Sequence, residues 1–228
     1  MMLLKYKFLY LLFCMGFTNL MQAQATYDSS YLTTYYEQKV SMFRLLPDTK
    51  GEIIFLGNSI TDIGEWAEIW NNIHVKNRGI SSDNTFGVLA RLDEVLSSRP
   101  AKLFIMIGIN DIAKNIPDMV IIKNYQKIID RVTKESPATK LFVQSILPVN
   151  KAFTDFKNHQ NKDEHIVWVN DQLQTYCNEK GIRFVNLYPH FLNENKQLSK
   201  QYTNDGLHLN GAGFMNWKSI LIKEKLMK

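Results

Sequence analysis

In "EIIFLGNSITD" (residues 52–62) a mostly apolar run ends at Gly57, and Ser59 follows it. A hydroxyl at such a turn can act as a nucleophile if a base takes its proton and donors receive the oxyanion. A turn that merely contains serine is the plain alternative. Five histidines could supply the base: His74, His159, His165, His190 and His208. His208 has the best setting. In "NDGLHLNGAG" Asp205 stands three residues before it, in a glycine-marked loop. That spacing lets the carboxylate turn back onto the imidazole Nδ1 and leaves Nε2 for a serine. The same letters also read as an Asp205-Gly206 turn with His208 capping a helix. His74 reads as pointing off a short strand, His159 and His165 as part of a polar loop leading to a helix, and His190 follows a proline. All four read as structural or solvated.

The oxyanion calls for neutral donors. Gly79 can offer a backbone N–H where a side chain would block approach. Asn110, in "GIND", can offer an amide N–H without a charge that would pair with a carboxylate. Asn58, Asp62 and Asn150, near the same turns, are candidates for contact with the substrate. No HExxH pattern or cysteine pair points to a metal, and this chemistry requires no metal or organic cofactor.

These residues need a frame that brings them together. "YLTTYYEQKVSMFRLLPDTKG" reads as a helix ended by Pro47. Strands and helices then alternate. Strands are expected at 52–56, 74–77 (ending towards Gly79), 102–107, 141–146 and 183–187. Helices are expected at 63–72, 85–96, 119–134, 164–179 and 213–226. The 85–96 helix carries Phe86, Leu89, Leu92, Val95 and Leu96 on one face, with Ser82 or Asp83 near its cap. Five short apolar strands separated by helices predict a parallel sheet covered on both faces, a doubly wound three-layer α/β/α sandwich. Ligands in such folds sit at the carboxyl ends of the strands. Ser59, Gly79, Asn110 and Asn150 all fall just after, or at the end of, an expected strand.

Composition narrows the field. The 228 residues are 45% hydrophobic, which suits one domain with a full core. The formal charge of +5 is scattered, with no basic run or nucleic-acid module, so nucleic acid is not an expected partner. Residues 1–25 have Lys5 and Lys7, an apolar run from Phe8 to Phe17, and Ala23-Gln24-Ala25. That order reads as a secretory signal peptide, with a single domain over 26–228 and an exported protein, periplasmic or secreted. The run is short for a membrane span, and no stable span is expected once it is removed. An uncleaved N-terminal anchor is the other reading. Cys14 leaves with the leader, so no internal disulfide is expected, and Cys177 reads as a buried small apolar residue.

With these residues in place, the chain resembles the SGNH, or GDSL-type, esterases and acylhydrolases. The four blocks would be Ser59 in "LGNSIT", Gly79 in "NRGISSDNT", Asn110 in "IGIND" and His208 in "DGLHLNGAGF". Asp205 matches the family's triad acid. The blocks occur in order over residues 52–214, and "SILPV" (145–149) is also similar to the family's small bacterial members. The resemblance implies a flavodoxin-like sandwich and members akin to platelet-activating-factor acetylhydrolases and carbohydrate acetylesterases. It implies that Ser59, His208 and Asp205 are catalytic and that the Ser59 and Gly79 N–H groups and Asn110 bind the oxyanion. Two departures stand out. Asn58 replaces the Asp of "GDS", and Ser82 stands where many relatives have Gly, narrowing the space near the oxyanion. An α/β-hydrolase elbow is a poorer match, because G-x-S-x-G would need glycine where Thr61 stands.

The expected activity is hydrolysis of a carboxylic ester through an acyl-enzyme. The short chain shows no lid insertion, which together with export favours removal of acetyl groups from carbohydrates. The partner would be a small-molecule or polysaccharide ester. Two alternatives remain: a lysophospholipase or thioesterase whose nine Met and 13 Phe help line an acyl tunnel, or an inactive carbohydrate-binding module on the same scaffold.

Overall fold

Runs of apolar residues become strands here because helices cover both faces of the sheet. The computed structural model describes residues 27–228, so the leader-like residues 1–25 lie outside it. The strands are β1 (Ile53–Gly57), β2 (Val75–Gly79), β3 (Lys102–Met106), β4 (Lys140–Gln144) and β5 (Arg183–Val185). All neighbours pair in parallel, in the order β2-β1-β3-β4-β5. That is the flavodoxin-like order, and the chain reverses direction across the sheet between β1 and β3. The expected three-layer sandwich with five parallel strands is borne out.

Alternation along the strands sorts the two faces. Phe55, Phe104 and Phe142 stack in a row across β1, β3 and β4, with centroids 4.9 and 4.6 Å apart. Helices α3 (Trp66–Ile69) and α9 (Gly211–Lys223) cover this face. Trp66 lies flat on Phe55 at 3.9 Å, and Trp217 meets Trp66 edge-on at 4.9 Å. Ile54, Leu56, Leu103, Ile105 and Val143 are buried on the opposite face. The helices packed together there are α4 (Thr85–Ala90), α5 (Leu92–Ser97), α7 (Asp118–Glu135) and α8 (Asp163–Lys180). Cys177 on α8 is fully buried, as its apolar setting predicts. Before the sheet, α1 (Thr34–Leu45) starts at the Thr33 cap and ends where Leu46 turns extended ahead of Pro47.

Three expectations on helices are corrected. Residues 63–72 are not one helix. The chain forms α2 (Ser59–Asp62) and then α3, because the Asn77 amide takes the carbonyls of Asp62 and Gly64 at 2.9 Å each. The 85–96 helix breaks at Arg91, and its cap is Asn84 rather than Ser82 or Asp83. Asn84 Oδ1 accepts the N–H groups of Phe86 and Gly87. A further helix that was not among those expected, α6 (Ile109–Ala113), opens within "GIND".

Arg91 explains the break. Its guanidinium is fully buried and faces Asp83 Oδ2 at 2.9 Å. It also donates to the carbonyls of Gly57 (3.2 Å) and Arg78 (2.9 Å), at the carboxyl ends of β1 and β2. A buried charge is tolerated only when its partners are in place. Replacing Arg91 by Leu leaves the Asp83 carboxyl buried without its cation. Urea unfolding of Arg91→Leu should show a loss of about 3–5 kcal/mol. A variant within 1 kcal/mol of the parent would show that the pair does not hold these strand ends.

Candidate active site

The residue chemistry gathers at the carboxyl edge of the sheet, above β1 and β3. Ser59 is the first residue of α2, directly after β1, and is half-buried. Asn58 caps that helix: its Oδ1 accepts the Ile60 N–H at 3.0 Å. The turn is tight enough that a Cβ on Gly57 would run into the Thr61 side chain and the Met106 carbonyl. Glycine is therefore required at that position if Ser59 is to stand over the sheet.

His208 reaches the same place from a loop 149 residues away. Asp205 shapes that loop. Its Oδ1 accepts the N–H groups of Leu207 (2.9 Å) and His208 (2.8 Å), and its Oδ2 meets His208 Nδ1 at 2.7 Å. The other ring nitrogen, Nε2, stands 2.8 Å from Ser59 Oγ. Burial works to raise the Asp205 pKa, but the Leu207 and His208 donors outweigh it and hold the carboxyl below its ordinary value. Asp205 is thus an anion, fixes Nδ1 as a donor, and leaves Nε2 to accept from the serine. The helix-cap reading of His208 is corrected, since Asn210 caps α9 by accepting the Gly213 N–H.

Asn110 enters from the first turn of α6, after β3. Its Nδ2 donates to the Asp83 carbonyl at 2.8 Å and keeps a second hydrogen. Beneath it, Asp111 is buried and accepts from the Thr85 N–H and, at 2.5 Å, from the Thr85 hydroxyl. Burial pushes the Asp111 carboxyl up to about 7. Ser59, Ser82, Asn110 and His208 share one cavity of about 280 Å³, which Ile63, Ser81, Phe156, His159 and Leu207 complete. A larger groove of about 590 Å³, bordered by Trp168 and Tyr188, contains none of the serine, imidazole or amide groups just described.

Gly79 does not have the expected place. Its N–H donates to Asn77 Oδ1 at 2.8 Å, and the residue is not on the cavity wall. Its missing side chain serves packing instead, because a Cβ would run into the Asp62 backbone. Ser82, three residues on, lines the cavity with a left-handed backbone, φ +68°. No acceptor is found for its N–H, or for that of Ser59, among the described residues.

The three expected substrate contacts are also corrected. Asn58 is buried as the α2 cap. Asp62 Oδ1 takes Lys39 at 2.8 Å, and its Oδ2 takes the Tyr35 hydroxyl and both donors of Ser81. Burial would raise this carboxyl, but those donors hold it low. Asn150 is buried. Its N–H donates to the Gly206 carbonyl at 2.8 Å, and its amide binds Leu198 and Ala152, so it anchors the loop carrying Asp205 and His208. None of the three borders the cavity.

His74 and His190 are exposed, and His165 pairs with Asp118 at 2.8 Å, away from Ser59. His159 departs from its expected solvated role: it borders the cavity and bonds Asn110. Phe156, not singled out from the sequence, sets its ring edge-on to His208 at 4.8 Å. The polar character of "FKNHQNK" hid both residues. No cluster of metal-ligating side chains occurs among the described residues.

A parallel sandwich with serine, imidazole and carboxylate in hydrogen-bonded series above it defines a hydrolase of the acyl-transfer class. The model of the GDSL-like Lipase/Acylhydrolase family matches residues 55–214, and the chain belongs to that family. It is an ester hydrolase. Among curated relatives, the platelet-activating factor acetylhydrolase IB subunit alpha1 of Bos taurus is 22% identical over 173 residues, 73% of this chain and 72% of that one. A GDSL-like lipase structure from Bacteroides thetaiotaomicron is 25% identical with a TM-score of 0.72, covering 84% of this chain and 98% of that one. An acetyl xylan esterase structure shares the fold at 20% identity and TM-score 0.61, covering 74% and 97%.

Because α2 packs straight onto Gly79, Gly79→Ala should displace the Ser59 turn and cost about 1–3 kcal/mol in urea unfolding. Esterase kcat should fall with it. An Ala variant as stable and active as the parent would show that the turn does not rest on β2.

Proposed function

We propose that Ser59 is the nucleophile, His208 the general base and Asp205 the residue that orients and stabilises the imidazolium. The observation that carries this reading is the single chain of contacts from Asp205 Oδ2 through the His208 ring to Ser59 Oγ, at 2.7 and 2.8 Å. Ser59 Oγ attacks the ester carbonyl as its proton passes to Nε2. The oxyanion is received by the N–H groups of Ser59 and Ser82 and by Asn110 Nδ2. His208 then protonates the leaving alcohol, and water repeats the sequence on the acyl-enzyme. The donors are neutral, so none is drawn away into an ion pair.

The substrate in this proposal is a short acyl ester on a carbohydrate, with acetyl as the acyl group. Support comes from the small cavity, walled by Ile63, Phe156 and Leu207. The acetyl xylan esterase and acetylhydrolase names of similar proteins point to the same acyl group. The leader-like residues 1–25 support an exported site of action.

Ser59→Ala should abolish the burst of p-nitrophenol from p-nitrophenyl acetate; a burst of parental size would remove Ser59 from the mechanism. A parent with no Ser59-dependent turnover on any acyl ester would leave a binding module. Asn110→Ala should lower kcat by roughly 10²–10³. Across p-nitrophenyl esters, kcat/KM should peak at two carbons, and a peak at eight or more would replace the acetyl reading with a lipid or thioester one.

A further inference from the structure

We propose that His159 is a positioning residue for Asn110, holding its side-chain amide so that the free N–H is presented to the oxyanion. This rests on the role given to Asn110 above. The hydrogen-bond directions follow from chemistry. Asn110 Nδ2 lies 2.8 Å from the Asp83 carbonyl. A flipped amide would put two carbonyl oxygens face to face, so the nitrogen must point there. Oδ1 therefore points the other way, to His159 Nε2 at 2.9 Å. Oδ1 can only accept, so His159 carries its proton on Nε2. Asn110 is gripped at both ends of its amide, and one N–H remains for the cavity.

The far side of the ring fits the same assignment. His159 Nδ1 is buried with no partner among the described residues. A proton there would be a buried donor without an acceptor, which costs about 1–3 kcal/mol. The ring is thereby held in the Nε2–H tautomer and neutral. Burial, and then the charge of nearby His208, lower its pKa and outweigh the smaller opposing pull of the Phe156 backbone. A neutral ring beside His208 adds no second cation when the imidazolium forms during turnover. A ring that donates to the amide oxygen also polarises the amide, strengthening its remaining N–H as a donor.

The loop is built to deliver this ring. Phe156 adopts a left-handed backbone, φ +50°, and starts the short 3-10 turn Lys157–His159. The His159 N–H donates to the Phe156 carbonyl at 2.9 Å, and the Phe156 ring meets the His159 ring edge-on at 5.9 Å. Gln160 Nε2 closes the loop onto the carbonyls of Phe153 and Asp155. His159 is not an alternative base, because its inward nitrogen is committed to Asn110 and Ser59 Oγ bonds His208.

The test is a double-mutant cycle with a conservative rescue, read on p-nitrophenyl acetate. His159→Phe keeps the edge-on packing and removes the donor. It should lower kcat about tenfold and leave KM within about twofold, as expected for a contact that acts in the transition state. His159→Gln restores an N–H donor and should recover most of the loss. In an Asn110→Ala background, His159→Phe should change kcat by less than about twofold, because the group it acts through is gone. Equal losses in both backgrounds, or a change confined to KM, would overturn the assignment. Nitrogen-15 NMR of the Ser59→Ala protein gives a readout that needs no turnover. An Nε2–H tautomer for His159 is expected, and an Nδ1–H tautomer would overturn the proposal. If the tautomer is as expected but the parent shows no Ser59-dependent turnover, the hydrolytic reading and the role built on it both fall, while the hydrogen-bond assignment stands.

Discussion

The buried guanidinium of Arg91 is the constraint on which the site depends. At the carboxyl ends of two parallel strands a side-chain donor is added to backbone carbonyls, and one of them, Gly57, also takes the Ile80 N–H at 3.1 Å. Arg91 donates to Gly57 and Arg78 and closes on Asp83. Asp83 then offers its own carbonyl to Asn110. One charge therefore fixes the end of the strand that leads to Ser59, the loop that carries Ser82, and the amide that faces the cavity. Isolated, such a charge would be prohibitive; paired with Asp83 and bonded through Nε and Nη2, it makes the geometry of three separate segments a single arrangement.

Asp62 and Asn150 do similar work at the rim. Asp62 gathers Tyr35 and Lys39 from α1 and Ser81 from the loop after β2, so the helix bearing Ser59 is braced from two sides. Asn150 ties the loop after β4 to Gly206 and Leu198. Gly206 has φ +85°, and a Cβ there would meet the Asn150 carbonyl at 2.6 Å and Phe153 at 3.0 Å. The polar groups nearest the reacting atoms are thus divided between those that face the cavity and those that hold its walls, and both kinds sit at strand ends.

That division is what the sequence conveyed least well. The sheet was legible because five apolar runs separated by helical patterns leave little else to build, and Ser59 and His208 were legible because their neighbours, Gly57 and Asp205, restrict what the backbone can do. Polarity near a strand end says nothing about direction. Asn58, Asp62 and Asn150 read as substrate contacts, yet all three point into the protein. Gly79 read as a donor because glycine permits close approach, but the partner approaching it is the α2 backbone. His159 read as solvated because it lies among lysines and asparagines, and no local pattern shows that Asn110 waits 49 positions earlier. The helix breaks at Gly64 and Arg91 come from tertiary hydrogen bonds, which periodicity cannot report.

The placement of charge around Ser59 follows one logic. Lys39 and Arg91, the cations that brace the site, are each paired with a carboxylate, Asp62 and Asp83. Asp205 is the anion in contact with the His208 ring, where positive charge would develop in turnover. The groups left for an oxyanion are two backbone N–H groups and an amide. Had a lysine stood in place of Asn110, it would have been drawn to Asp205 or would have raised the cost of forming the imidazolium a few ångströms away. A neutral amide avoids both, but a single amide is a weak and rotatable donor. It becomes useful only when its orientation is fixed from outside the cavity. The Asp83 carbonyl on one side and the His159 ring on the other meet that requirement without bringing a new charge to the reacting atoms.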